Sequence, residues 1–503
     1  MIVNINILKF RNYFIPCLGG ILGGLSVSNN FWIILMPLSL SILWDGYDYK
    51  RSNFVWGFFF ILVSHYWLIY LHPLTWLGYS WLGSLFISSF LLIICSTLGG
   101  LLITLWGLIG KKFFSKRYLF SYTNYQICIK VLFLSFIWAL GELILKQTPF
   151  FWIGLGESLI PGDLYLAGLA RLFGSSGLCV VQLLIGFWVF FIFEQWNHKF
   201  KIKEFLFFGL FVILGLHFLG AFLILPIERN VGFPVAVWQT NIPTREKIFV
   251  DNQKMFRKFI TAQRKAISQD AKLLITPEGT LNRNFIMNIP SLIDTLTGGF
   301  RISENNLRSS LLLIKKGDKS YTKFIDKSRL VPLGEKLPKL LNNFSVGLSS
   351  LGGLQSGEPS RYFDVSKIPP LAVAICYEIS DGVKIRNAIN KGSELILSIA
   401  NLDPYPIKIQ QQYLSLARLR SIENNRDNLI ISNTGPSGLI RNDGRINNLL
   451  DSSKEHIKVF YPIFYKQKTF YSKFGEKPFI FLLIILFQQN LKMFKRSTNQ
   501  PTP

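Results

Sequence analysis

Cys376 and Glu378 stand two apart at the end of an apolar run, in AVAICYEIS (372–380), and they are the first residues with a reason to do chemistry. The chain has five cysteines. Cys17, Cys95, Cys128 and Cys179 lie in or beside long hydrophobic stretches, where a thiol serves as a small apolar filler. Cys376 alone lies in a polar part of the sequence. It reads either as a buried structural thiol at a strand end or as a nucleophile. A cysteine nucleophile needs a base, and a group to stabilise the oxyanion its attack creates. Histidine is the usual base, but the polar part holds only His456, in SSKEHIKV at its far end, which reads as a surface residue. Carboxylates and lysines are left. Glu278 ends the apolar strand LLITPEGTL, and Lys327 and Glu335 stand eight apart in DKSRLVPLGEKLP. Singly, each reads as a solvated rim residue or as one of 54 basic residues.

Together and in this order, Glu278, Lys327 and Cys376 resemble the Glu-Lys-Cys triad of the nitrilase superfamily, and more closely that of the apolipoprotein N-acyltransferases. RLVPLGEKLP is close to that family's HLVPFGEFVP-type segment, and CYE is its nucleophile motif. ARLRSIENNR, followed by ISNTGPSGLIRNDGRI, is similar to the helix and strand near the family's domain end. WALGELILKQTPFFWIGLGESL and LAGLARLFGSSGLCVVQLLIG extend the likeness into the apolar half. The resemblance implies an αββα sandwich with Glu278 as general base. It implies that Lys327 stabilises the oxyanion and helps keep the thiolate charged, as a nearby cation does. Cys376 then attacks a phospholipid ester, a lysophospholipid leaves, and the thioester passes its acyl chain to the α-amine of an S-diacylglyceryl-cysteine lipoprotein in a ping-pong sequence. Glu335 and Glu378 match further acidic positions of the family, expected to orient the lysine and the nucleophile region. Tyr377 also matches, and its backbone N–H is an expected oxyanion donor.

The chain departs from the family's pattern in three places. NIPTREKIF carries Ile248, with Phe249 beside it, where the family has a tryptophan. IANLDPYPI keeps Asn401 but shifts the following aromatic or replaces it with Tyr405, and PEG stands for the more usual PET or PEA. These positions bear on substrate fit more than on the triad. The glycine- and serine-rich FSVGLSSLGGL (344–354) reads equally as a flexible connector or as an apolar loop that keeps water from a thioester. Two other functions stay open: a membrane-anchored amidase or hydrolase using the same triad on water, and a non-enzymatic lipoprotein-binding or transport protein. Intramembrane ionisable residues are the mark of a transporter, and Glu142, Glu157 and Asp163 are the candidates, two of them expected in an outer loop. The sequence has no metal cluster, phosphate-binding glycine motif or dinucleotide fingerprint, so neither a cofactor nor a metal is expected.

The elements that must position these residues follow from composition. Half the chain is hydrophobic and only 17% is charged, with a net charge of +25. Its mean hydropathy is +0.33. A soluble domain is nearer a quarter charged, so the balance indicates a polytopic membrane protein with a basic surface. Nucleic acid is excluded as a partner, because the basic residues are dispersed and the hydrophobic half would have no role. With four of five thiols in apolar segments, a disulfide framework is excluded too. Membrane-spanning helices are expected at about 12–28, 31–45, 54–72, 84–108, 130–146, 174–194 and 205–226, with an eighth in KPFIFLLIILFQQNLKMFKR. Lys and Arg concentrate in alternate connections: Lys9 and Arg11, Lys50 and Arg51, Lys111 to Lys130, and Lys199 to Lys203. By the positive-inside rule both termini are cytoplasmic and the segment after the seventh span is outside. There the texture changes to short strand-length runs alternating with amphipathic helices, an α/β pattern. The expected organisation is a seven-helix membrane domain at 1–229, an extracytoplasmic catalytic domain at 230–460, and a last helix with its tail at 475–496. The protein is expected to be a multi-pass protein of a bacterial inner membrane, with its catalytic domain in the periplasm. Its expected partners are the bilayer, a phospholipid donor and diacylglyceryl apolipoproteins, and it is expected to be a monomer.

Overall fold

A computed structural model describes residues 10–72, 79–197, 202–225, 232–244, 252–282, 285, 287–332, 334–335, 353–365, 368–403 and 405–498. Each apolar run expected to span a membrane is helical. The helices are Ile15–Ser26, Trp32–Gly46, Lys50–Ser64, Trp81–Phe113, Asn124–Lys146, Ala170–Asn197 and Ile202–Leu223, and Lys477–Thr498 closes the series. Among the described residues five of them, those from Trp81 onward, are long and apolar enough to cross a bilayer. The first three are shorter, at 12, 15 and 15 residues. The third expected run, 54–72, is divided: its helix begins earlier, at Lys50, and stops at Ser64, and a 3₁₀ turn covers Tyr66–Leu71. The polar pair at the break explains the stop, since Ser64 Oγ meets His65 Nδ1 at 2.9 Å, a local bond that competes with the helical ladder.

Helices in an apolar medium associate through close packing and internal hydrogen bonds. A Cβ on Gly20 would lie 2.4 Å from the Trp56 carbonyl oxygen, so only glycine lets the helices Ile15–Ser26 and Lys50–Ser64 approach this closely. Buried tryptophans supply the polar ties. Trp44 donates to Leu183 O at 3.0 Å, Trp56 to Ser39 O at 3.1 Å and Trp106 to Leu134 O at 3.0 Å. Each indole N–H therefore has the acceptor that a dry interior requires.

The middle of the connection 147–169, expected as an outer loop, packs into this interior. Leu155, Leu159 and Ile160 are buried in the helical core. Buried Gln182 satisfies the loop's backbone by donating to Leu155 O at 2.7 Å, and accepts from Trp32 Nε1 at 3.1 Å. Glu157 is thus enclosed, and Lys146 answers it at 2.7 Å. Asp163 is also buried, and meets His217 Nε2 at 2.6 Å. The apolar residues of FFWIGL and SLIPG drove the loop inward, and its carboxylates went with them.

The polar half builds two facing sheets. The first contains β1 (Val235–Gln239), β2 (Leu273–Ile275), β3 (Thr295–Ser303), β4 (Asn306–Ile314) and β5 (Lys323–Asp326). The second contains β6 (Tyr362–Val365), β7 (Ile368–Ile375), β8 (Leu395–Ala400), β9 (Asn428–Ser432), β10 (Gly438–Ile440) and β11 (Ile446–Leu449). The last strand, β12 (His456–Phe460), returns to the first sheet beside β1, giving the orders β12-β1-β2-β3-β4-β5 and β11-β10-β9-β8-β7-β6. The central strands β1-β2-β3 and β7-β8-β9 run parallel, the arrangement whose strands, covered on both faces, read as near-continuous apolar runs. Val237, Ile275 and Leu311 from one sheet meet Val373, Leu397 and Ile431 from the other in a dry middle layer. Each such side chain contributes about 1.5–3 kcal/mol on full burial. Helix Asn252–Ser268 covers the outside of the first sheet through Met255 and Phe259. Helices Gly382–Asn390 and Ile407–Asn424 cover the second through Ile385, Leu416 and Ala417. The result is an αββα sandwich.

Helix Ile407–Asn424 also meets the membrane helices. Gln412 accepts from Trp152 Nε1 at 2.9 Å and donates to Ser64 O at 3.0 Å, while Lys408 reaches Val27 O at 2.6 Å.

Candidate active site

Three strand ends converge. Cys376 follows β7 directly and opens a 3₁₀ turn, Cys376–Ser380. Its φ is +52°, a left-handed value that costs an L-residue roughly 1–2 kcal/mol and turns the thiol sharply off the strand. Glu278 lies just past β2, in the middle of the other sheet. Gly298 on β3 makes room for it, because a Cβ there would come within 2.2 Å of Pro277 O and 2.5 Å of Glu278 Cα. Lys327 follows β5 and has no exposed surface.

The Lys327 ammonium lies 3.0 Å from Glu278 Oε1 and 2.6 Å from Glu335 Oε1. Burial lowers a lysine, but these two carboxylates outweigh it and hold Lys327 well above its ordinary value, so it is a fixed cation. Glu278 also accepts from Ser309 Oγ at 3.0 Å and, through Oε2, from the Asn401 N–H at 3.2 Å. The same N–H interacts with the Cys376 thiol. Glu335 accepts from Val331 N at 2.9 Å; its burial raises the carboxyl above the usual range in spite of Lys327.

Burial pushes the Cys376 thiol far up, and the Glu278 and Glu335 carboxylates add to the shift against the opposing pull of Lys327. Lys327 pulls the thiol toward its charged form, in the direction expected of a nearby cation, and burial opposes it.

Glu378 has a different place from Glu278 and Glu335. It accepts from Arg361 Nη1 at 2.9 Å, from the backbone N–H of Ser328 at 2.6 Å and Arg329 at 3.2 Å, and from Ile375 N at 2.9 Å. It ties the turn holding the thiol to the loop holding the lysine. Burial works against its charge, but Arg361 and these N–H groups hold the carboxyl below the usual range. Tyr377 turns away from the strands; its hydroxyl donates to Pro149 O at 2.7 Å and Phe151 O at 2.9 Å, and its ring stacks on Trp152 at 5.4 Å.

Arg361, Ser309 and the Asn401 N–H complete the cluster without having been expected in these roles. Ser309 lies inside β4, Arg361 just before β6 and Asn401 just after β8, and no local pattern marks them. Tyr405 packs against the apolar cluster that includes Cys376. His456 is on the edge strand β12, opposite Gln239. Ile248, Phe249 and most of FSVGLSSLGGL lie outside the described residues. Among the described residues no three His, Cys, Asp or Glu side chains form a metal-binding group.

No family model matches the chain. Curated relatives do. An apolipoprotein N-acyltransferase of Prochlorococcus marinus subsp. pastoris is 59% identical over 491 residues, 98% of this chain and 99% of the relative. Another, from a second Prochlorococcus marinus strain, is 42% identical over 95% of this chain and 96% of its own length. A third, from Thermosynechococcus vestitus, is 27% identical over 84% of this chain and 83% of its own. Among solved structures, an amidase of the nitrilase superfamily from Nesterenkonia matches 49% of this chain and 95% of its own, with a TM-score of 0.36 and 15% identity. A Saccharomyces cerevisiae member of branch 10 of that superfamily matches 50% and 97%, with a TM-score of 0.36 and 15% identity. By its full-length relatives, this chain belongs to the apolipoprotein N-acyltransferase family.

Proposed function

We propose that this protein transfers an acyl chain from a membrane phospholipid to the N-terminal α-amine of S-diacylglyceryl-cysteine apolipoproteins, through a thioester on Cys376. The observation that carries the mechanism is the fully buried Lys327 between Glu278 and Glu335, with a thiol on a strained turn in the same electrostatic field. Burial pushes the thiol up, so in this reading the first step is proton-coupled. Glu278 takes the S–H proton as sulfur attacks the ester carbonyl, and the oxyanion forms beside the Lys327 ammonium, with the Tyr377 backbone N–H as a further donor. The C–O bond breaks, Glu278 returns the proton to the departing lysophospholipid, and the acyl thioester remains. The lipoprotein amine then attacks the thioester and gives its proton to Glu278, and the sulfur leaves and is reprotonated. Glu335 orients the lysine and Glu378 the nucleophile turn. No cofactor is needed.

Both substrates are held in a bilayer, which accounts for a catalytic sandwich at 230–460 attached to membrane helices at 1–229 and 475–496. Eight crossings with the sandwich on the periplasmic side of a bacterial inner membrane follow from the alternation of basic connections. The protein acts as a monomer in this reading. The test is intact mass spectrometry after incubation with phospholipid, beside Cys376→Ala. The expected result is an acyl adduct that hydroxylamine removes, that a diacylated lipopeptide discharges, and that the variant lacks. An adduct discharged only by water, with no acylated lipopeptide, would move the hydrolase reading to the front.

A further inference from the structure

The loop after Lys327 and the turn after β7 share a second anchor, on the membrane side. Arg329, two residues past the lysine, is buried. Its Nη1 donates to Lys146 O at 2.9 Å, and its Nη2 to Thr148 O at 2.7 Å and Phe151 O at 3.0 Å. Lys146 is the last residue of helix Asn124–Lys146, so this carbonyl is one that the helix itself cannot satisfy, at its negative end. Tyr377, next to the nucleophile, shares its hydroxyl proton between two carbonyls of the same segment, Pro149 and Phe151. The Arg329 guanidinium lies over the Tyr377 ring, 5.2 Å from its centroid. Trp152, stacked on the other partner of that ring contact, reaches through Gln412 to Ser64 on a second membrane helix. The two arms of the catalytic cluster thus close on one carbonyl-rich segment, 146–152, that the membrane helices hold in place.

We infer that Arg329 is a positioning residue for acyl transfer: it fixes the Lys327 loop and, through Tyr377, the Cys376 turn against the carbonyls of 146–152. The inference rests on Cys376 and Lys327 acting as proposed above. A planar guanidinium suits the task, since its forked donors serve several converging carbonyls at once, and an ammonium serves fewer. Without the fork, the thiol and the ammonium stay in the fold but lose register with each other, and a displacement of about 1 Å costs on the order of 10²-fold in rate.

The experiment measures acyl-thioester formation by intact mass in detergent for Arg329→Met, Arg329→Lys and Tyr377→Phe, with thermal unfolding midpoints beside it. For Arg329→Met the expected result is a rate at saturating phospholipid lowered about 10²-fold, with a phospholipid KM changed less than about twofold. Arg329→Lys recovers part of that loss, and Tyr377→Phe, which removes only a hydroxyl from the same carbonyls, slows the step at an unchanged unfolding midpoint. A wild-type rate in Arg329→Met overturns the inference. So does a loss confined to KM, or a loss that tracks a lower midpoint and is not rescued by lysine. If Arg329→Met does not fold, Tyr377→Phe decides, and an unchanged rate there overturns it. Cys376→Ala separates the two levels: an acyl adduct persisting in that variant sinks the nucleophile assignment itself, whatever Arg329 does.

Discussion

Two of the buried charge clusters among the described residues invite comparison, one at the proposed site and one between the two halves of the molecule. At the strand ends, Lys327 lies between Glu278 and Glu335. Where the membrane helices meet helix Ile407–Asn424, Lys146 lies 2.7 Å from Glu157, and Arg420 pairs with Glu423 and lies 3.6 Å from Glu157. Both are enclosed, and both set lysine against carboxylate. The second cluster draws its members from both halves of the molecule, and its remaining contacts are structural: Glu142 accepts from Leu155 N at 2.7 Å and Glu423 from Ser175 N at 3.1 Å. The first holds a thiol on a positive-φ residue, at the end of a strand, with Glu278 as its proposed base. Burial of charge is therefore no mark of a site in this protein. What sets the proposed site apart is a thiol on a strained turn in the field of the Glu278–Lys327 pair.

The same isosteric change in each cluster tests that distinction. Glu278→Gln removes the proposed base and keeps Glu335 on Lys327. Acyl-thioester formation is expected to fall by about 10²–10⁴-fold, the usual worth of a positioned base. Glu157→Gln breaks a buried pair, which costs about 3–5 kcal/mol when one partner is lost, and is expected to lower the unfolding midpoint while the rate per folded molecule is kept. A folded Glu157→Gln protein as slow as Glu278→Gln would erase the comparison.

Glu378 offers a smaller and pH-dependent effect. Its carboxyl is held below the ordinary range by Arg361 and backbone N–H groups, so its stabilisation is complete above the unfolded value of about 4.3. It is lost as the pH falls through the lower folded value. Glu378→Gln should unfold at a lower temperature than wild type at pH 7, and the gap should close on acidification. Midpoints recorded from pH 3 to 7 check this, and a gap independent of pH would mean that the carboxylate's charge contributes nothing.

The gentlest probe is alkylation of Cys376, followed by peptide mass spectrometry without substrate. Burial holds the thiol well above its ordinary value, so modification by iodoacetamide should be slow at pH 7 and still climbing above pH 9. A plateau below pH 8 would mean that the resting enzyme carries a thiolate, and that Lys327 outweighs burial after all.

Local information carried far in this chain. The length and polarity of each apolar run foretold a helix in every expected place, because burying a continuous apolar stretch needs no knowledge of the partner that covers it. The strands and covering helices of the sandwich were legible for the same reason, in runs such as PPLAVAICYE and SELILSIAN. Glu278, Lys327 and Cys376 were singled out together by their resemblance to a family motif, and the fold brings Lys327 to 3.0 Å from Glu278.

What the sequence alone determined, then, was the order of elements and the chemical groups available. Only the tertiary structure decided what those groups are. It buried the middle of the loop 147–169 and set Glu157 in an internal ion pair with Lys146. It brought Arg361 to Glu378 and the Asn401 N–H to Glu278, and it gave Arg329 the carbonyls of 146, 148 and 151. It also set burial against Lys327 at the Cys376 thiol. A thiol's protonation depends on the water it loses and on charges brought in from segments about fifty and a hundred residues away, and neither is written beside Cys376.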